Sequence, residues 1–130
     1  MSPRILYIED EPLNRRLVQT ILARVDYRYL EAANGVEGIK IAESERPDLI
    51  LVDINLPNMN GYEVLRALRN NLMTTHIPIV ALTAHIMNGD QRDIMAAGFD
   101  GYLAKPVNKI VVRTLIERIL RHTPHATIAS

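Results

Sequence analysis

The 130-residue chain predicts an α/β fold, a parallel sheet of five strands flanked by five helices. Three observations carry that expectation. Five short apolar runs recur at intervals of roughly twenty-five residues, the spacing of strand–helix units. Helix-period patterns fill the gaps between them. Three of the runs are continuous rather than alternating, as expected of strands covered by helices on both faces.

The runs are Ile5-Leu6-Tyr7-Ile8, Tyr27-Arg28-Tyr29-Leu30, Leu49 to Val52, Ile79 to Leu82 and Tyr102-Leu103-Ala104. Arg28 inside the second run marks it as an edge strand. Leu13, Leu17, Ile21, Leu22 and Val25 repeat at helical spacing after the first run, with Arg15, Arg16 and Arg24 on other faces. Val36, Ile39, Lys40 and Glu43 predict a second helix ended by Pro47. Tyr62 to Arg69 predicts a third, Gln91 to Ala97 a fourth ended by Gly98, and Val107 to Leu120 a fifth. Strict alternation of strand and helix implies right-handed parallel crossovers. Residues 1–121 are expected to form one domain. Residues 122–130 lose the periodicity and are expected to be a flexible tail.

Bulk composition narrows the function classes. The 15 basic and 15 acidic side chains balance, giving no general reason to expect nucleic-acid or membrane affinity. No apolar stretch reaches the length of a membrane span, and no leader-like segment opens the sequence. Cysteine is absent, so thiol chemistry and disulfides are excluded and a reducing, cytoplasmic location is expected. Neither GxxxxGK[ST] nor GxGxxG occurs, and the turn after the first strand is acidic, so a bound nucleotide is not expected.

In open α/β sheets ligands sit beyond the carboxyl ends of the strands. The first strand ends in Glu9-Asp10-Glu11, the third in Asp53, the fourth in Thr83-Ala84 and the fifth in Lys105-Pro106. A carboxylate at the end of the hydrophobic run Leu49 to Val52 is costly to desolvate without a partner or a function. Clustered carboxylates repel one another unless a cation intervenes, and Mg²⁺ is suited to one or two carboxylates, waters and an anionic substrate. Asp10 and Asp53 fit that role, with a carbonyl from the following loop. Asp53 can also act as a nucleophile through an aspartyl phosphate. Lys105 would neutralise charge on the phosphoryl oxygens, Thr83 would donate to one of them, and small Ala84 leaves room.

With these residues in place, IEDEP, DINLPNMNG, ALTA and GYLAKP together make the chain resemble the receiver domain of two-component response regulators, of the stand-alone type, over residues 4 to about 121. The resemblance implies a flavodoxin-like, doubly wound sheet in the order 2-1-3-4-5. It implies that Asp53 is the phosphoacceptor and that Glu9, Asp10, Asp53 and the backbone carbonyl of Asn55 hold Mg²⁺, with Mn²⁺ able to substitute. Thr83 and Tyr102 would be the switch pair, Lys105 would bridge to the phosphoryl group, and Lys105-Pro106 would be cis. Gly61 matches the family glycine at the entry to helix three. Implied partners are a sensor histidine kinase or a histidine phosphotransfer protein, and a downstream protein target.

Asn55 and His85 occupy positions that in the family tune the lifetime of the phosphoryl group. His85 either screens the path of the attacking water or is a solvated loop side chain. On the fifth helix Val111, Val112, Leu115, Ile116, Ile119 and Leu120 span an arc of about 180°, wider than the roughly 100° stripe of a core-facing helix. Arg113, Arg118 and Arg121 rim it. Either this is a well-buried last helix, or the helix four–strand five–helix five face is a phosphorylation-sensitive surface for a partner or a second copy, making the protein a monomer or a phosphorylation-dependent dimer. Arg15, Arg16 and Arg24 offer either a docking face for the phosphoryl donor or a solvated basic face. Two other chemistries share such a sheet. A Mg²⁺-dependent aspartyl-phosphate phosphatase usually carries a second aspartate where Asn55 stands, and a flavodoxin-like electron carrier needs a phosphate-cradling first loop in place of EDEP.

Overall fold

The computed structural model describes residues 2–84 and 90–122. They form β1 (Arg4–Ile8), α1 (Pro12–Ala23), β2 (Arg28–Ala32), α2 (Gly35–Glu45), β3 (Leu49–Asp53), α3 (Gly61–Arg69), β4 (Ile79–Thr83), α4 (Asp90–Ala97), β5 (Gly101–Ala104) and α5 (Lys109–Arg121). All strand pairings are parallel, in the order β2-β1-β3-β4-β5, as expected. β2 lies at an edge, as Arg28 implied.

Strand periodicity divides each apolar run between two cores. Leu6, Ile8, Ile50, Val52, Ile79 and Ala81 point to one face, where Val64, Leu65 and Leu68 of α3 and Ile94 of α4 cover them. Ile5, Tyr7, Leu49, Leu51, Val80 and Leu82 point to the other, under Val18, Ile21 and Leu22 of α1 and Val112 and Ile116 of α5. Two packed faces explain why the central runs are continuous in the sequence. α2 lies so close to β1 that a Cβ on Gly38 would run into the Ile8 side chain, and its buried residues, Gly35, Gly38 and Ala42, are correspondingly small.

The helix starts follow local chemistry. Asn34 and Asn60 accept from the amides of Glu37 and Glu63, the latter pair forming a reciprocal capping box. Asn108 accepts from Ile110 and Val111, so α5 starts at Lys109, two residues later than its apolar pattern predicts. Pro12 opens α1, where its missing N–H is not needed. The second strand is also displaced toward higher numbers. The Tyr27 amide is used in a turn onto Val25, and pairing begins when Arg28 donates to Pro3.

Two residues of the first helical stripe stay outside the core. Leu13 is 75% exposed and Leu17 is also exposed. At about 100° per residue, Leu17 lies about 90° and Leu13 about 130° from the centre of the arc buried by Val18, Ile21 and Leu22. On α5, Val112 and Ile116 are buried while Val111 is 54% and Ile110 66% exposed, so part of the broad apolar arc does remain at the surface. Arg113 does not rim that surface. Its Nη2 donates to the Ile21 carbonyl at 3.0 Å, tying α5 to α1.

Candidate functional site

The sheet order reverses between β1 and β3, since β2 lies on one side of β1 and β3, β4 and β5 on the other. The crevice at such a switch point is where doubly wound sheets place ligands. Glu9 and Asp10 leave the end of β1 there, and Asp53 is the last residue of β3. One carboxylate oxygen from each of Glu9, Asp10 and Asp53 lies within 4.8 Å of the others. Hard oxygen donors grouped in this way suit a divalent cation such as Mg²⁺.

The two acids after β1 differ in direction. Glu9 is 1% exposed, whereas Asp10 faces solvent. The inward turn of Glu9 is held by three donors: Tyr7 Oη reaches its Oε1 at 2.8 Å, Lys105 Nζ the same oxygen at 2.7 Å, and the Glu11 amide its Oε2 at 3.1 Å. The Arg15 guanidinium donates to the Glu9 carbonyl at 2.7 Å and lies 3.3 Å from Glu31, fixing the backbone at the same point.

Asp53 is 4% exposed and also satisfied on both oxygens. Oδ1 accepts from the Asn55 amide at 3.0 Å, and Oδ2 lies 3.1 Å from Lys105 Nζ. The loop that follows closes tightly: the Gly61 amide donates to the Ile54 carbonyl at 2.9 Å. A Cβ on Gly61 would come within 2.8 Å of Ile54 Cα and 2.9 Å of the Asp53 carbonyl oxygen, so this approach of backbone to backbone admits only glycine.

Lys105 follows β5, its amide donating to the Thr83 carbonyl at 2.9 Å and its bond to Pro106 cis, as expected. From there its stem crosses β4 to reach both acids. Thr83 is buried at the end of β4, opposite Ala104, and Tyr102 lies opposite Ala81 two residues earlier. Alternation puts Thr83 and the partly buried Tyr102 on one sheet face, diagonally adjacent.

One ammonium between two buried carboxylates sets their charge states. Burial alone raises the pKa of Glu9, but the hydrogen bonds from Lys105, Tyr7 and the Glu11 amide outweigh it and hold Glu9 below the usual range. Burial raises that of Asp53, and the neighbouring Glu9 charge adds to the rise that the Asn55 amide and Lys105 oppose. Burial disfavours the charged form of Lys105, yet the two acids overcome that and push its pKa up. Of the two buried carboxylates, Asp53 is therefore the one less compensated by the protein, and the one with more to gain from a cation.

The structure thus brings together Glu9, Asp10, Asp53 and Lys105, and sets Thr83 and Asn55 beside them. Asn55 is exposed, its amide occupied by Asp53. His85 lies outside the described residues. The sequence reading missed Tyr7 and Arg15 as parts of this site. A signal for Tyr7 was present, since residues i and i+2 of a strand share a face and a tyrosine below a glutamate can reach it.

The model of the response regulator receiver domain matches residues 5–119. The polar-differentiation response regulator DivK of Brucella anthropi is 36% identical over 108 residues, 83% of this chain and 88% of that protein. The chemotaxis response regulator CheY4 of Vibrio cholerae superposes with a TM-score of 0.85 at 28% identity, over 92% of this chain and 99% of that one. The receiver domain of a Pseudomonas aeruginosa sensor histidine kinase, solved with a magnesium ion coordinated in its active-site cleft, gives a TM-score of 0.79 at 34% identity, over 95% and 98%. With the sheet order, the acid crevice and these likenesses in agreement, the chain belongs to the response regulator receiver domains, the signalling modules of two-component systems.

Proposed function

We propose that this chain accepts a phosphoryl group on Asp53 from a phosphohistidine on a sensor kinase or a histidine phosphotransfer protein. The observation that carries the reading is the partly buried Lys105 ammonium held between the buried Glu9 and Asp53 in the crevice, 2.7 and 3.1 Å away. A carboxylate oxygen of Asp53 forms the new O–P bond as the N–P bond of the donor breaks, and the electron pair leaves with the histidine nitrogen. The residues that would hold Mg²⁺ are Asp10, Asp53, the Asn55 carbonyl and, through water, Glu9. The ion supplies charge neutralisation for the phosphoryl oxygens. Lys105 exchanges its contact with Asp53 for a phosphoryl oxygen, so compensation follows the charge as it moves outward. Thr83 donates its hydroxyl to another of these oxygens, and Ala84 presents no bulk beside it.

The new charge biases Thr83 and the diagonal Tyr102 toward a second arrangement, in which the hydroxyl moves to the phosphoryl group and the ring turns inward behind it. Tyr102 lines a groove of about 580 Å³ between α4, β5 and α5, together with Met95, Ile110, Val111, Leu115 and Arg118. The exposed apolar side chains there support this face as the surface read by a downstream protein or by a second copy. Arg16 on α1 and Arg24 just past its end, both exposed, support that helix as the face presented to the donor. Among the described residues no helix is long and apolar enough to cross a membrane.

The test is intact mass after incubation with acetyl phosphate, with and without Mg²⁺, for the natural chain and Asp53→Asn. A Mg²⁺-dependent gain of one phosphoryl group, absent in the variant, is expected. No gain under any condition overturns the reading.

A further inference from the structure

We infer that the Tyr7 hydroxyl is a positioning group for the acid cluster: it anchors Glu9 and thereby sets how tightly the crevice holds a divalent cation. The inference rests on the receiver reading and concerns a residue outside the acid, threonine and lysine set that carries it.

Packing does not account for the hydroxyl. Tyr7 is fully buried, and its neighbours on the β3 side, Leu51 and then Val80, are aliphatic, while Glu31 stands beside it on β2, engaged by Arg15. A phenylalanine ring would fill the same layer. A phenolic oxygen added to an apolar interior is unfavourable unless it is hydrogen-bonded, and here it is bonded to Glu9 Oε1 at 2.8 Å. The side chain of Tyr7 rises along the strand from two residues below, so it approaches Glu9 from within the core. Lys105 approaches from β5 and the Glu11 amide from the start of α1. Three donors from three directions leave the carboxylate one position and one orientation.

Two consequences follow. Glu9 is held at the rim of the crevice with an oxygen near those of Asp10 and Asp53, ready to meet a cation or its water. In addition, Tyr7 and Lys105 share Oε1. The hydroxyl takes up part of the charge that would otherwise draw the ammonium from Asp53, 3.1 Å away on its other side. Groups that orient metal ligands from behind typically contribute a factor of about 10–100 in metal affinity. Because the Glu11 amide and Lys105 remain, the low end applies to Tyr7.

The experiment is calorimetric titration of the metal-free chain with MgCl₂, for the natural sequence, Tyr7→Phe, Glu9→Asp and the double variant. Tyr7→Phe should weaken Mg²⁺ binding about tenfold. In the Glu9→Asp background the shorter side chain draws the carboxylate away from the hydroxyl, and the same change should move affinity less than about twofold, a non-additivity that a merely structural role would not give. An unchanged affinity in Tyr7→Phe, or an equal loss in both backgrounds, overturns the inference. Should Tyr7→Phe fail to fold, the natural chain with labelled tyrosines serves instead: the Tyr7 ring signals should shift with the calorimetric midpoint, and unaltered signals at saturating Mg²⁺ overturn the proposal. Acetyl phosphate labelling of Asp53 in the natural chain runs alongside. Labelling with no Tyr7 effect removes only this inference, whereas no labelling and no Mg²⁺ binding remove the receiver reading with it.

Discussion

Replacing Lys105 with methionine keeps an aliphatic stem of similar length and removes the ammonium that joins Glu9 to Asp53. The two acid side chains are 1% and 6% exposed and Lys105 17%, so the pair is largely shielded from water. Removing one partner of a buried ion pair costs about 3–5 kcal/mol. The low end, about 3 kcal/mol, is expected because Glu9 keeps Tyr7 and the Glu11 amide and Asp53 keeps the Asn55 amide. At about 4 °C per kcal/mol for a domain of this size, Tm should fall by about 12 °C near neutral pH in the presence of EDTA. The pH dependence has a distinctive sign. In the natural chain the depressed pKa of Glu9 contributes stability above its ordinary 4.5, and that contribution is lost as pH falls through the lower folded value. Without the ammonium, the two facing carboxylates raise each other's pKa. A carboxylate with a raised folded pKa destabilises above that value, and the penalty disappears as pH falls through it. The deficit of Lys105→Met should therefore shrink between about pH 7.5 and 5.5, and Mg²⁺ should restore more stability to the variant than it gives the natural chain. Thermal unfolding followed by circular dichroism, with EDTA or Mg²⁺ at both pH values, measures all of this. A Tm at pH 7.5 within about 3 °C of the natural chain's, or a deficit that widens on acidification, would refute the reasoning.

Three further outcomes are expected. Gly61→Ala forces its Cβ against the backbone of Ile54 and Asp53 and should lose about 2 kcal/mol in urea unfolding, with weaker Mg²⁺ binding because the same shift moves the loop after Asp53. Since burial, with the charge of Glu9 beside it, holds the Asp53 pKa above 3.8, protons compete with the cation at a higher pH than an ordinary aspartate allows. Calorimetric Mg²⁺ affinity should accordingly be lower at about pH 5 than at about pH 7.5, and equal affinities would contradict that picture. Val111→Glu, at an exposed position on α5, should change stability by no more than about 0.5 kcal/mol while abolishing any phosphorylation-dependent association seen by sedimentation.

The one-dimensional pattern was enough to place Glu9, Asp10, Asp53, Thr83 and Lys105 at one edge of the sheet, because parallel connections bring every strand's carboxyl end to the same side. It also identified β2 as an edge strand from Arg28, and the breadth of the apolar arc on α5 anticipated the exposure of Val111. What it left open were choices between equivalent neighbours. Nothing in Glu9-Asp10 says which acid turns inward; the presence of Tyr7 below, Lys105 beside and the Glu11 amide above makes it Glu9. Leu13 and Leu17 satisfy a helical repeat yet stay exposed, because a 3.6-residue period drifts away from an i, i+4 row within three steps.

The sequence by itself determined which acids, hydroxyl and ammonium stand at the strand ends, since residue types there are local facts. Only the tertiary structure decided which charge compensates which. β1 and β3 became neighbours through strand order, and Lys105, from an edge strand, had to cross β4 to stand between their acids. Electrostatic compensation depends on distance and burial, and both arise only when segments far apart in the chain are packed against one another.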